Sequence, residues 1–250
     1  MYEQIINKVI ELGDALPALA GNAPDIGKDK RWLTQKDLDI ENAIVNLIKT
    51  FPGDNSIYAE EMHDDFIEAE NVWVIDPISN TRNFVRGLPH YSITVSHLYK
   101  GEVVFAVIYD PSVKELFTAE KGKGTFLNNK KISVSDRKEG TFFMIGPYFN
   151  PPHREKMLKI VERMSEMEST MRDLGSLGVH YAHVACGRVD VAISYNKDTF
   201  PEFAGKLLVE EAGGVFTDFS GGVLSSKTEG VIASNKVMYK QVKDIINNVI

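Results

Sequence analysis

Apolar residues recur at helical spacing over residues 2–20, where Ile5, Ile6, Val9, Ile10, Leu12 and Leu16 predict an amphipathic opening helix. Residues 21–31, with their glycines, proline and charges, predict an exposed loop. Thr34 begins a second helix that turns Leu38, Ile44, Val45, Leu47 and Ile48 inward and ends near Phe51-Pro52-Gly53. Short apolar runs at Ser56–Ala59 and 72–75 predict strands. From 91 to 117 the pattern alternates with period two: Ile93 and Val95, then Val103, Phe105, Val107 and Tyr109. Lys100-Gly101-Glu102 and Asp110-Pro111-Ser112 supply the turns between these strands. Gly122-Lys123-Gly124 and Asn128-Asn129 extend the same meander. No helical pattern follows the glycine pair, so it predicts a hairpin rather than a phosphate loop.

After residue 140 strands alternate with helices. The pattern predicts strand 142–145, helix 153–166, strand 168–172, helix 176–186, strand 189–193, helix 202–212, strands 215–217 and 230–233, and a closing helix 236–249. An antiparallel meander followed by βα alternation predicts an α/β fold of two sheets layered with helices. Residues 1–250 are expected to form a single domain, with an α+β half over 1–140 and an α/β half over 141–250.

Composition narrows the function classes. With 43% apolar and 25% charged residues the chain is ordinary for a globular protein, and its net charge of −7 argues against binding duplex nucleic acid through phosphate neutralisation. The single cysteine, Cys186, excludes an intramolecular disulfide and fits a reducing compartment. An early acid and no h-region mark the N-terminus, and no apolar run reaches membrane-spanning length. A cytoplasmic protein without a membrane span is expected.

Chemistry concentrates in Trp73-Val-Ile-Asp76-Pro-Ile-Ser79-Asn-Thr81-Arg-Asn83-Phe84. An apolar strand delivers Asp76 to its carboxyl end, and Pro77, lacking an N–H, is expected to stop the strand there. Ser79, Asn80 and Thr81 then suit a helix start as capping residues. A carboxylate beside free backbone N–H groups is a place to hold a divalent cation and a phosphate together.

This segment resembles the signature W-I-D-P-[IL]-D-G-T-x-N-F of the inositol monophosphatase family, Mg²⁺-dependent phosphomonoesterases, and the chain is similar to bacterial members of the SuhB type. Trp73, Ile75, Asp76, Pro77, Ile78, Thr81, Asn83 and Phe84 match in register, while Ser79 and Asn80 stand where the family has aspartate and glycine. Ala59-Glu60-Glu61 is similar to the family's G-E-E, and Glu211-Ala-Gly-Gly214 to its E-A-G-G. The resemblance implies a layered αβαβα sandwich of the inositol monophosphatase / sugar phosphatase type and, from the family's habit, a homodimer.

The resemblance also implies roles. Glu60, Thr81 and Asp37 would position the attacking water. Glu60, Asp76 and the backbone oxygen of Ile78 would hold one Mg²⁺, and the N–H groups of Asn80 and Thr81 would receive phosphate. The second metal site is lost, because two of its ligand positions fall on Ser79 and Pro201. Two carboxylates neutralise one divalent cation and leave a second poorly balanced. Glu202 is either a substitute ligand reaching back from a later helix start, or a first-turn acid favoured by the helix dipole. The family's sugar-binding glutamate falls near Ser194, and the loop 195–199 offers other polar groups.

Other clusters read as ordinary surface or core. Asp39 and Glu41 predict a solvated first helical turn rather than a calcium loop, and His63-Asp64-Asp65 a surface acidic loop. His180 and His183 predict an amphipathic helix, with no sequence-local third zinc ligand, and Cys186 a small core residue. Lys28-Asp-Lys30-Arg31 either steers phosphate or is a soluble loop. Two functions follow: a phosphomonoesterase for inositol or sugar phosphates, weakened by the missing metal ligands, or a non-catalytic scaffold with a transcription or ribosome-biogenesis partner.

Overall fold

A computed structural model describes the chain except residues 29–31, 63–65, 67, 147–152, 196–199 and 226–227. Two helices lead, α1 (Tyr2–Asp14) and α2 (Gln35–Ile48). A seven-stranded sheet follows in the order of the sequence: β1 (Ser56–Ala59), β2 (Asn71–Ser79), β3 (Ser92–Tyr99), β4 (Glu102–Asp110), β5 (Glu115–Glu120), β6 (Gly124–Leu127) and β7 (Lys130–Ile132). Every neighbouring pair is antiparallel except β1 on β2, which is parallel. The short helix α3 (Thr81–Arg86) lies between β2 and β3.

The second half supplies β8 (Phe142–Ile145), α4 (Arg154–Ser165), β9 (Thr170–Arg172), α5 (Leu177–Ala185), β10 (Val191–Ser194), α6 (Phe200–Glu211), β11 (Val215–Asp218), β12 (Val231–Ser234) and α7 (Tyr239–Asn247). Its five strands pair in the order β11-β12-β10-β8-β9, with β8 parallel to both β9 and β10.

Period-two burial makes the layers. On β2, Trp73 and Ile75 pack with Ile5 and Val9 of α1 and Ile44 of α2, while Val72 and Val74 face the opposite core with Tyr181 of α5 and Leu208 of α6. That central core also takes Met144, Ala192 and Val231 from the second sheet. Phe143, Ile193 and Ile232 turn the other way onto α4 and α7. The result is the αβαβα sandwich that the resemblance implied, with α5 and α6 sandwiched between the two sheets.

Three local expectations are corrected. Pro77 does not end its strand: β2 runs on to Ser79 because the register shifts between Asp76 and Ser79, and such an irregularity accommodates a residue with no ladder N–H. The opening helix stops at Asp14, and turns follow. Glu41 is not solvated; it is fully buried and accepts the backbone N–H groups of Glu61 and Met62 at 2.8 and 2.9 Å. The hairpin reading of the glycine pair holds. Gly122 and Gly124 flank the β5–β6 turn and donate their N–H groups to the Glu211 carboxylate, both at 2.8 Å.

Gly205 sets the distance between the two central helices. A Cβ there would lie 2.3 Å from Cδ2 and 2.7 Å from Cβ of the buried Tyr181. Gly205→Ala gains about 1 kcal/mol of helix propensity but overpacks against a ring with no room to move, a cost of about 1–3 kcal/mol or more. Equilibrium urea unfolding should therefore show a less stable variant; equal or greater stability would mean that the layers can slide apart.

Candidate active site

The parallel pairing of β1 with β2 builds the site. Ala59 pairs with Ile75, so Glu60, just past the end of β1, comes level with Asp76 of the adjacent β2, with strands about 4.8 Å apart. The carboxyl ends of parallel strands are where α/β folds open a crevice. Here the crevice is a cavity of about 480 Å³, lined among others by Glu60, Asp76, Ile78, Ser79, Asn80, Thr81 and Pro201. The structure thus gathers most of the residues singled out from sequence. Glu41 supports the arrangement from behind by tying down the chain after Glu60.

Asp37 stands behind the cavity wall. It closes a capping box on α2, accepting from the Thr34 N–H at 2.8 Å and the Thr34 hydroxyl at 2.6 Å. Its other oxygen lies 2.8 Å from Thr81 Oγ1, which is also 3.0 Å from the Ile78 carbonyl. Burial pushes the Asp37 carboxyl up to about 6, against the lowering effect of hydrogen bonds from Thr34 and Thr81. Thr81 has one hydroxyl proton for two acceptors. Ionised Asp37 draws that proton; protonated Asp37 donates to Thr81 and turns the threonine proton toward Ile78.

Ser79 is engaged elsewhere in the polar framework. Its hydroxyl accepts from Ser176 Oγ at 3.2 Å, and Ser176 in turn lies 3.2 Å from Ser92 Oγ while capping α5 through the Val179 N–H. Three neutral serines therefore tie β2, β3 and α5 together where the resemblance puts a metal-binding acid.

Asn80 takes a left-handed conformation with φ of 73° and gives α3 no side-chain cap, contrary to expectation. Its amide reaches instead to the carbonyls of His90 at 3.3 Å and Leu174 at 3.4 Å. Asn83 donates to the same Leu174 carbonyl at 3.0 Å and to Pro89 at 2.6 Å. The amide groups of two asparagines thus clamp the segment before α5 onto the mouth of the cavity.

Helix α6 begins at Phe200, so Pro201 and Glu202 both sit in its first turn. Pro201 lines the cavity; Glu202 is fully buried and is not among the lining residues. Ser194 is likewise buried and is not among the lining residues. His180 is fully buried with Nε2 accepting the Leu174 N–H at 3.0 Å, and burial pulls it down to about 3, so it is a neutral support for that segment. Burial raises the Cys186 thiol. Asp29 to Arg31, His63 to Asp65 and Asn196 to Thr199 lie outside the described residues.

Glu41, Ser176 and Asn83 escaped the reading of the sequence as supports of the site. Ser176 carried a signal, a serine after Gly175 and before an apolar helix. Glu41 carried none, since its partners lie twenty residues away.

For metal, the carboxylates lining the cavity are those of Glu60, Asp76 and Asp173, with Ile78 beside them, and hard oxygens of this kind suit Mg²⁺. Among the described residues no group of three or more His, Cys, Asp or Glu forms a denser cage. No described helix is long and apolar enough to cross a membrane.

The sequence model of the Inositol monophosphatase family matches residues 11–249. The "Fructose-1,6-bisphosphatase/inositol-1-monophosphatase" of Thermotoga maritima is 34% identical over 223 residues, covering 88% of this chain and 84% of that protein. "Nus factor SuhB" of Escherichia coli K12 is 32% identical over 213 residues, covering 84% and 78%. Among solved structures, a Thermotoga maritima IMPase superposes with a TM-score of 0.88 at 32% identity, covering 99% of this chain and 97% of the other. The extragenic suppressor protein suhB of Bartonella henselae gives 0.87 at 26% identity, covering 100% and 99%.

The raised Asp37 predicts a pH signature. A carboxyl whose folded value exceeds its unfolded one contributes stability below the unfolded value and loses it as pH rises through about 6. Asp37→Asn keeps an acceptor for Thr34 and offers its amide to Thr81. In metal-free protein it should match the wild type near pH 4 and become the more stable of the two by pH 7, by roughly 3 kcal/mol at most. Parallel denaturant curves at several pH values would show the divergence; parallel stabilities throughout would mean that Asp37 is ionised without penalty.

Proposed function

The chain belongs to the inositol monophosphatase family, and from that premise we propose that its cavity takes one Mg²⁺ and a phosphomonoester of inositol or a sugar, and hydrolyses it slowly. The observation that carries this reading is the contrast within one cavity: Glu60, Asp76, Asn80 and Thr81 line it, while Ser79 is hydrogen-bonded to Ser176 and Pro201 offers no side-chain ligand atom.

In this reading Glu60, Asp76 and the Ile78 carbonyl hold the cation. When bound, Mg²⁺ would supply the positive charge that polarises the phosphoryl group. The remaining work falls to the chain. Thr81, oriented by Asp37, and Glu60 hold the attacking water, whose proton goes to a carboxylate, Glu60 directly or Asp37 through the Thr81 hydroxyl. The backbone N–H groups of Asn80 and Thr81, at the entry to α3, receive the phosphate oxygens. Neither Ser79 nor Pro201 can bring charge to the departing oxygen. Losing that stabilisation removes several kcal/mol, on the order of 10³-fold in rate.

Likeness to proteins called Nus factor SuhB favours a second reading. Here the same cavity is a ligand-binding remnant, and the protein acts as a scaffold toward a transcription or ribosome-biogenesis partner. Under either reading we infer a cytoplasmic homodimer.

Phosphate release from a panel including inositol 1-phosphate, titrated with Mg²⁺ and Mn²⁺, separates the two. Slow metal-dependent release that disappears in Glu60→Gln supports the phosphatase; release equal to that variant supports the scaffold. Ser79→Asp combined with Pro201→Asp should raise turnover by about 10³-fold. No gain from the pair would mean that the site is remodelled beyond its second metal position.

A further inference from the structure

Among the described residues the carboxylates of Glu60, Asp76 and Asp173 line the cavity, and the chemistry above leaves Asp173 unused. It stands at the start of the segment that the two asparagines clamp. The Leu174 carbonyl accepts from Asn80 at 3.4 Å and from Asn83 at 3.0 Å, and the Leu174 N–H goes to His180 Nε2 at 3.0 Å. Gly175, with a left-handed φ of 84°, lets Asn80 come this close, since a Cβ there would lie 2.4 Å from Asn80 Nδ2. Asp173 Oδ1 accepts the Gly175 N–H at 2.8 Å, closing an Asx-turn that fixes the carboxylate. The residue whose N–H receives phosphate in the proposed reaction is therefore in contact with the segment that carries Asp173.

Only one oxygen of Asp173 is used by that turn. Among the described residues no hydrogen bond or ion pair reaches Oδ2. His180 Nε2 lies 3.5 Å from Oδ1, but it already accepts the Leu174 N–H and so turns a lone pair, not a proton, toward the carboxylate. Burial raises the Asp173 carboxyl above its ordinary value, against the lowering effect of the Gly175 hydrogen bond and of the field of Arg82 on the same lining. Nor does Asp173 join Glu60 and Asp76 around a cation, because no group of three such residues among those described could hold a metal ion. The cavity, at about 480 Å³, has room for an alcohol half beside the phosphate.

An ionised carboxylate accepts hydrogen bonds and donates none, so it recognises a group that carries a proton. We propose that Asp173 is a specificity-determining residue for the alcohol half of the substrate: its free oxygen accepts a ring hydroxyl, so that the cavity selects phosphomonoesters of polyols against those of apolar alcohols. An alcohol half without hydroxyls covers the carboxylate and returns no donor for the water it displaces, the arrangement in which discrimination is strongest. The proposal rests on the phosphomonoester reading and assigns selectivity to a residue for which the resemblance implies no role. Ser194, where the resemblance implies a sugar-binding acid, is buried and is not among the lining residues. The competing role is mechanical, with the Asx-turn alone shaping the entry to α5.

Initial rates of phosphate release in Mg²⁺ buffer with inositol 1-phosphate and with cyclohexyl phosphate distinguish these, since the second compound has the same ring without its free hydroxyls. Wild type should favour inositol 1-phosphate by about tenfold or more in kcat/KM. Asp173→Ala should bring that ratio close to one, through a higher KM for inositol 1-phosphate at nearly the same kcat. Asp173→Asn, which keeps an acceptor for Gly175, should melt as wild type does and retain only part of the ratio. Equal use of the two compounds by wild type, or a ratio that Asp173→Ala leaves intact, would overturn the assignment alone. A loss shared equally by both compounds in Asp173→Ala and repaired in Asp173→Asn would overturn it in favour of the turn. If wild type releases phosphate from neither compound, the phosphomonoester reading falls and the assignment with it.

Discussion

The parallel register of β1 on β2 is the constraint from which the cavity follows. In a sheet otherwise built from antiparallel neighbours, this one pair runs in the same direction, so that Glu60 at the end of β1 stands beside Asp76 of β2. Antiparallel pairing would have put them at opposite ends. The buried carboxylate of Glu41, which satisfies two backbone N–H groups just past Glu60, and the irregular register at Pro77 both serve that arrangement. A buried acid with two charge-assisted bonds is costly to lose, because its removal would orphan both donors.

The second constraint is the seam between the halves. Leu174 lies just before α5, and its carbonyl is held by Asn80 and Asn83 while its N–H is held by His180. Ser176, two residues on, reaches Ser79 and Ser92. The positions that depart from the family pattern are thus used to close the seam with neutral hydrogen bonds. A neutral contact of this kind contributes about 1 kcal/mol, and it avoids the mutual repulsion of carboxylates that lack a cation between them. Loss of ligand charge and gain of a structural contact are two aspects of the same substitution at Ser79.

Much of the architecture was legible in the alternation of β2 to β5 and in the helical spacing of the terminal elements, because each strand has one face toward α1 and α2 and the other toward α5 and α6. Glu60, Asp76 and Thr81 were singled out by the resemblance of their segments to a family signature, and the fold brings all three to one cavity. What sequence did not disclose depends on long-range partners. Glu41 looked like any first-turn acid, and Asn80 like a cap, until tertiary contacts assigned their side chains to Glu61, Met62 and Leu174. Pro77 misled for a local reason, since the rule that proline ends a strand fails where the ladder is already irregular.

Asp37 shows why the altered site has not relaxed into ordinary core. A fully buried carboxyl whose partners are all hydroxyl or backbone donors is an expensive feature in the absence of nearby positive charge, and its raised value expresses that expense. An apolar residue would fill the space more cheaply, and Thr34 alone could cap α2. The cost is sensible where a cation sits close enough to favour the ionised form, because ionised Asp37 draws the Thr81 proton away from the Ile78 carbonyl. That carbonyl is then free to face the cavity with Glu60 and Asp76. The polar framework behind the cavity therefore reaches one layer deeper than Glu60 and Asp76, while serine and proline stand at two positions where the resemblance implies acids.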